Sequence, residues 1–286
     1  MCIRPTYAIK AGEGMKEESQ PFPDFEKPPV VEVVCGVLFK PIDKLLAPHL
    51  GQLWDRFKPE YTSCQEVALL APIIEGSAAQ QLRESELTNV PPLPRIWFVH
   101  SNESGIIQVQ RDRFLQNWRK TRPDDEYPRY LKVYGSFQDH LQKFRQFLNE
   151  ADLGEIQPLQ YEMSYVNHIP LGEGWTKKSE IGEVFPDCSW RSDAVRFLPE
   201  FEGFSWRAAF PLPAGSGRLH VKAQHVVRLT DQRPMFLLDL TARGIGVDGS
   251  LNGMRSWFDT AREWIVRGFT DLTGPELQKN VWGRRA

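Results

Sequence analysis

The stretch from Ile106 to Lys120, IIQVQRDRFLQNWRK, has the residue types best suited to recognising a polar ligand. Extended to Arg122, it holds five cations against one acid, Asp112. Arginine offers a planar fork that matches phosphate or carboxylate, amides add neutral donors and acceptors, and tryptophan stacks on bases. We therefore predict a recognition surface, the first patch, formed by Gln108, Gln110, Arg111, Arg113, Asn117, Trp118 and Arg119. The alternatives are a solvated strand whose arginine stems cover aromatic rings, and a protein interface.

A second run of polar side chains alternates with apolar ones between Arg218 and Leu229. Successive side chains of a strand point to opposite faces, so the polar residues share one face of a predicted strand. The second patch consists of Arg218, His220, Lys222 and Arg228. A solvated sheet face is the simple explanation of this pattern. The sharper hypothesis is a basic groove that the two patches share.

No spacing of reactive residues in the sequence completes a catalytic or metal site. The six histidines are scattered, and His220 and His225 would face opposite ways on one strand. His225 falls on the apolar face, which is typical of a core histidine. The sequence has no P-loop, dinucleotide fingerprint, Gly-x-Ser-x-Gly elbow or His-Glu-x-x-His motif. We therefore expect no metal and no cofactor, and an enzyme is the last of the functions that we consider.

The composition narrows the classes of partner. A formal net charge of −2 gives no global field that would draw the protein to nucleic acid or to a membrane, so a basic site must be local. The four cysteines have neither zinc-finger nor thioredoxin spacing. No apolar run approaches the roughly 18 residues that a membrane helix needs. We therefore expect a cytoplasmic protein without a membrane segment.

The elements around the first patch follow from hydrophobic periodicity. VVEVVCGVLF, from Val30 to Phe39, is apolar on both faces and predicts a central strand. A helix follows, and then Ile96–His100 and Ile106–Arg113 flank a turn and predict a β-hairpin. Aromatic and aliphatic residues spaced by three and four from Tyr130 onward predict a long amphipathic helix.

The second part of the chain repeats this order of elements. Each half consists of a strand, a helix, three strands and a long aromatic helix, so we predict two similar β-α-β-β-β-α halves. The fold class is α+β, with antiparallel sheet and the helices on one face. We assign residues 1–29 to a flexible leader, 30–152 to the first half and 153–286 to the second, which ends in the long aromatic helix. The sequence leaves open whether the halves share one sheet.

Three stretches together resemble a known protein family. They are RIWFVHSNESGIIQVQRDRFLQNWRK, the following YPRY with its helix, and the closing WFDTAREWIVRGFTDLTGPELQKNVWGR. The chain resembles a sporadically distributed, full-length prokaryotic family of unknown function from about Pro28 to Arg285. The resemblance supplies no catalytic residues. The family's patchy distribution implies genes that move between genomes, as antiviral defence and toxin–antitoxin genes do.

These observations lead to three hypotheses of function. The first is a non-catalytic binding or partner subunit of a mobile or defence locus, with a protein partner encoded nearby. The second is a nucleic-acid-binding component that uses Arg111, Arg113, Trp118 and Arg119. The third is a small-molecule binder with an apolar cavity between the long C-terminal helix and the sheet.

Overall fold

A computed structural model describes residues 21–71, 73–75, 93–190, 197–244 and 250–285. Nine antiparallel strands in this part of the chain form one sheet in the order β2-β3-β4-β5-β1-β6-β9-β8-β7. The strands are β1 Val30–Phe39, β2 Ser63–Val67, β3 Arg95–Val99, β4 Gly105–Gln110, β5 Arg113–Arg119, β6 Pro158–Pro170, β7 Ser205–Pro211, β8 Arg218–Val227 and β9 Pro234–Gly244. The helices are α1 Ala47–Phe57, α2 Tyr130–Glu150, α3 Ile181–Val184, α4 Leu251–Leu272 and α5 Pro275–Asn280. The α+β class and the antiparallel sheet are confirmed.

The two predicted halves meet along the central strands β1 and β6. These strands pair antiparallel, with Val33 opposite Tyr165 and Val37 opposite Tyr161. From β1 the sheet continues through β5, β4 and β3, and from β6 it continues through β9, β8 and β7. The two sets of strands therefore extend outward in the same connection order from a shared centre, and β2 adds a further strand to the first set.

The sequence prediction joined two strands into one across the turn at Arg111 and Asp112. The predicted strand Ile106–Arg113 ends at Gln110, and the chain turns at Arg111–Asp112 into β5, which the prediction lacked. The turn is fixed by backbone bonds from the end of β1 and the chain just after it, because Phe39 N donates to Asp112 O at 2.9 Å and Ile42 N donates to Arg111 O at 3.0 Å. The turn places Arg113 opposite Gln110, on the same face of the sheet.

The helices pack on one face of the sheet, here called the helical face. α2 lies against β1 and β5, and α4 lies against β6, β8 and β9. Aromatic rings join the two long helices across the sheet centre, since the Phe258 ring lies 5.1 Å from Tyr134 and 5.8 Å from Tyr161. Gly268 lets α4 approach β8, because a Cβ there would lie 3.2 Å from Leu219 Cδ2.

The last residues of the predicted flexible leader pack against the rest of the protein. Residues 1–20 lie outside the described part of the chain, but residues 21–29 are packed against the C-terminal end. Phe25 is buried and forms a backbone bridge with Arg284. The Phe25 ring makes an edge contact with Phe269 of α4, with 5.4 Å between the ring centroids. Burial of the Phe25 side chain thus anchors this proline-rich segment to the core.

Candidate functional site

The residues of the first patch do not form one exposed surface. Gln108, Gln110, Arg113 and Asn117 lie on the face away from the helices, here called the open face, and each is only 5% exposed. Trp118 points to the helical face instead, where its ring lies 5.4 Å from that of Tyr127. Side chains therefore alternate between the two faces as the sequence predicts, but this alternation places Trp118 on the face opposite to the amides and Arg113.

The buried polar groups of the first patch satisfy one another. Gln108 Oε1 accepts from Trp97 Nε1 at 3.0 Å and from Arg95 Nη1 at 3.1 Å. Gln108 Nε2 donates to Asn117 Oδ1, and Asn117 Nδ2 donates to Glu32 Oε1, both at 2.6 Å. Burial raises the pKa of Glu32, which the Asn117 bond opposes. A buried polar group is costly without a partner, so this network first serves to satisfy the sheet itself.

The other members of the first patch also bind the protein's own chain. Arg111 Nη2 donates to Leu45 O at 3.3 Å, and Arg113 forms two bonds of 3.1 Å with the carboxylate of Asp112. Arg119 is half-buried, and its Nε donates to Glu103 O at 2.9 Å. These contacts use donors that the nucleic-acid hypothesis assigns to phosphates.

Residues 70, 71 and 73–75 of the β2–β3 connection lie over the open face and are here called the crossing segment. Two glutamines of the sheet hold its backbone. Gln110 accepts from Leu70 N at 2.9 Å and donates to Leu70 O at 3.4 Å. Gln160 accepts from Glu75 N and donates to Ile73 O, both at 2.9 Å. Each side-chain amide thus pairs with the backbone as a neighbouring strand would.

The crossing segment also neutralises part of the second patch. Glu75 binds Arg218 Nη1 at 2.5 Å and His220 Nε2 through its other oxygen. Burial raises the pKa of Glu75, but the bonds from Arg218 and His220 outweigh it and hold that pKa below its ordinary value. Arg228 lies beyond the end of β8 and pairs with Asp231 at 2.5 Å. Lys222 shares the open face with Arg218 and His220, as the alternation predicts.

Both patches reach one open cleft of about 1430 Å³ at the end of the sheet, which Arg119 and Arg228 line. The cleft is not a basic groove, because both acidic and basic side chains line it. Arg228 is paired as described, and Arg233 Nη1 lies 3.6 Å from Glu173. Asp124, Asp125 and Glu32 add negative charge to the same walls. The shared groove therefore exists as a shape, but its charge is mixed.

A second pocket of about 490 Å³, which is about as open to solvent as the cleft and is here called the cavity, lies on the helical face. It is bounded by the N-terminal segment, the chain entering α2, the central strand β6 and the middle of α4. Its walls are mainly aromatic and aliphatic, and include Phe22, Tyr127, Tyr130, Tyr165, Ile265 and Phe269. This is the region between the C-terminal helix and the sheet where the small-molecule hypothesis requires a cavity.

Few polar groups face this cavity. Tyr127 OH and Tyr165 OH share a hydrogen bond of 2.7 Å. Burial raises the pKa of Tyr127 to about 12 and that of Tyr165 well above its ordinary value, so both phenols are neutral at pH 7. Arg129 pairs with Asp24 at 3.1 Å. The guanidinium of Arg262 lies 4.1 Å from the centroid of the Phe22 ring and 4.9 Å from that of Tyr130.

Sequence reasoning missed the cavity residues because they come from four distant parts of the chain. Arg262 follows Ala261 of the apolar stripe on α4 and therefore sits at its flank. This position of Arg262 was the one feature of the sequence that could have indicated its place at the cavity. The core assignment of His225 agrees with its surroundings, since its half-buried ring lies 5.7 Å from Phe236. His140, buried near Gln116 and Tyr61, was not singled out.

Comparison with known proteins adds little to this geometry. No family model matches the chain, and no curated protein matches it. Among solved structures, the chain is similar to DynU16, a protein of the dynemicin biosynthetic locus, with 9% sequence identity over 85% of this chain and 98% of that chain and a TM-score of 0.24. A TM-score this low carries no argument. The resemblance to the prokaryotic family and its link to mobile loci stay predictions.

Two further findings concern only the described residues. None of their helices is both long and apolar enough to cross a membrane. No cluster of three or more histidine, cysteine, aspartate or glutamate side chains is arranged there to hold a metal ion.

Proposed function

We propose that the protein is a non-catalytic binding protein that holds a small, mainly apolar molecule in the cavity on the helical face. The observation that carries the proposal is the cavity itself. Its volume of about 490 Å³ lies within the roughly 300–1,000 Å³ of typical small-molecule sites. Such sites combine apolar and aromatic walls with a few polar groups, which is the composition found here.

Two observations favour this function over nucleic-acid binding. Sequence-independent binding of nucleic acid requires cations that are free to neutralise phosphates. Arg113, Arg218 and Arg228 instead contact carboxylates of the protein. Trp118, the side chain proposed to stack on bases, packs on Tyr127 at the helical face.

A protein partner is compatible with ligand binding. A cytoplasmic location, a partner encoded nearby and a place in a mobile or defence locus stay part of the proposal as predictions from the sequence.

Binding of the neutral dye N-phenyl-1-naphthylamine tests the proposal. We expect its fluorescence to rise on binding to the wild type and its presence to raise the Tm, because a ligand that binds only the native state stabilises it. Val266 lines the cavity, so Val266→Trp should fill the space and abolish both effects. Val227→Trp is the matched control, because Val227 is 47% exposed at the end of β8.

A smaller filling variant, Val266→Phe, covers the case in which Val266→Trp does not fold. It should weaken dye binding while keeping the circular dichroism spectrum of the wild type. Absence of dye binding by the wild type, or equal binding by the folded filled variants, would overturn the proposal.

A further inference from the structure

We infer that the cavity selects ligands with an anionic group, which Arg262 binds while the aromatic walls contact the apolar body. The inference rests on the proposed function and adds the chemical class of the ligand: an amphipathic molecule bearing a carboxylate, sulfonate or phosphate.

Arg262 differs from the other arginines of α4 in its local partners. Arg255 binds Asp259 at 2.8 Å and Arg267 binds Glu263 at 2.9 Å, each through an i,i+4 spacing. The corresponding positions around Arg262 are Phe258 and Val266, which carry no charge. The helix therefore provides a carboxylate four residues away for two of its arginines but none for Arg262.

The acid of α4 whose helical spacing would bring it to Arg262 is already engaged. Asp259 lies three residues before Arg262, but one of its oxygens binds Arg255 and the other accepts from Tyr130 OH at 2.7 Å. No carboxylate of the described residues lies within 4 Å of the Arg262 side-chain nitrogens. Its described contacts are the faces of the Phe22 and Tyr130 rings.

Aromatic faces satisfy a guanidinium only in part. A cation–π contact contributes about 0.5–1 kcal/mol at exposed sites and roughly 2 kcal/mol where water is excluded. The rings accept charge at the face of the guanidinium plane, but its N–H groups point outward along that plane. Arg262 is half-buried at the cavity wall, so a ligand anion could accept these bonds where water competes less than in bulk solvent.

The tyrosine pair provides a second donor for the same anion. Tyr127 OH and Tyr165 OH share one hydrogen bond, which uses one of their two hydroxyl hydrogens. The other hydrogen remains to donate into the cavity. Tyr127, Tyr165 and Arg262 all line the cavity, and the charge of Arg262 lowers the pKa values of both phenols against the larger effect of burial. The cavity therefore offers an anion a guanidinium fork and a neutral phenol donor.

Arg129, Lys132 and one acid, Asp24, also line the cavity but are placed differently. Arg129 is held by Asp24 and donates to Phe25 O at 3.1 Å. Lys132 is exposed at the rim. Lys132 therefore provides a matched control, because its removal changes the charge of the protein by the same amount without altering the inner wall.

Two dyes that differ only in a sulfonate group show how much the anionic group adds to the affinity of the apolar body. 8-Anilinonaphthalene-1-sulfonate carries a sulfonate, and N-phenyl-1-naphthylamine is the same arylamine without it. The wild type should bind the sulfonate dye more tightly than the neutral dye. Arg262→Gln should lower the affinity for the sulfonate dye about 10-fold to 100-fold, which is the range expected for the loss of charged hydrogen bonds. The affinity for the neutral dye should stay unchanged. Lys132→Gln should bind both dyes as the wild type does.

The outcomes distinguish this inference from the proposed function. If the neutral dye does not bind the wild type, the proposed function and the inference both fail. If the neutral dye binds but the sulfonate adds no affinity, or if Arg262→Gln binds both dyes as the wild type does, the inference is overturned and the proposed function stands. Equal loss of both dyes in Arg262→Gln would also overturn it, because Arg262 would then shape the cavity without recognising the anion.

Discussion

Acidification should destabilise the fold through His140, a side chain of α2 that is 7% exposed. Its Nδ1 lies 2.5 Å from Gln116 Oε1 of β5, and rings of Phe57 and Tyr61 pack around it. Because the amide oxygen accepts, Nδ1 carries the hydrogen of a neutral imidazole. Burial, aided by the nearby charge of Lys143, lowers the pKa of His140 from the ordinary 6.5 to about 4.

The sign of the effect follows from the two pKa values. Between pH 6.5 and pH 4 the unfolded chain binds a proton at His140 and the folded chain does not, so the free energy of unfolding falls as the pH falls. The proton linkage relation gives a loss of about 2 kcal/mol at pH 5 and about 3 kcal/mol at pH 4, relative to neutral pH. The whole contribution is present above pH 6.5 and decreases steadily below it.

Urea unfolding at pH 7 and pH 5 measures this loss. His168 and His225 also have pKa values lowered by burial, so the wild type alone does not isolate His140. The difference between wild type and His140→Gln does, and it should shift by about 2 kcal/mol between the two pH values in favour of the variant. Phe147→Leu, a core change on the same helix, should differ from the wild type equally at both. A pH dependence that His140→Gln leaves unchanged would refute the reasoning.

Three further predictions follow from separate features. Glu75→Gln should release the crossing segment from Arg218 and His220 and speed thermolysin cleavage within it by about tenfold or more. An unchanged rate of cleavage would show that Gln110 and Gln160 hold the segment without Glu75. Gly274→Ala should cost about 1–3 kcal/mol of stability in urea unfolding, because its Cβ would lie 1.9 Å from a backbone oxygen. Gly135→Ala should add about 0.5–1 kcal/mol, because Gly135 lies inside α2 and a Cβ there would meet nothing within 4 Å. Iodoacetamide should label exposed Cys64 before Cys35, whose pKa burial raises, and mass spectrometry of native protein showing the reverse order would contradict the burial of β1.

The sequence predicted most of the fold where hydrophobic period and turn residues agree. β8 alternates polar and apolar residues along its length, and α4 keeps its apolar stripe over many turns. β5 was missed because the turn at Arg111–Asp112 contains no glycine or proline to mark it. Local pattern alone did not divide IQVQRDRF into two strands.

The candidate site was less predictable because burial of polar groups depends on distant partners. Gln108 and Asn117 have the composition of a surface, but the neighbouring strands and Glu32 complete their hydrogen bonds. Phe22 and Arg262 meet across most of the chain length, and no periodicity encodes that contact. The polarity of the first patch was visible in the sequence, whereas its accessibility was not.

The central place of β1 has a consequence for how the chain folds during synthesis. Among the described strands β1 leaves the ribosome first, but both strands that flank it, β5 and β6, are made much later. β5 covers one edge of β1. The other edge is covered by β6, which is made only after β5 and the whole of α2. Contacts so distant in sequence slow folding and leave hydrophobic strand edges open to wrong partners. Newly made chains should therefore depend on chaperone protection until β6 has emerged.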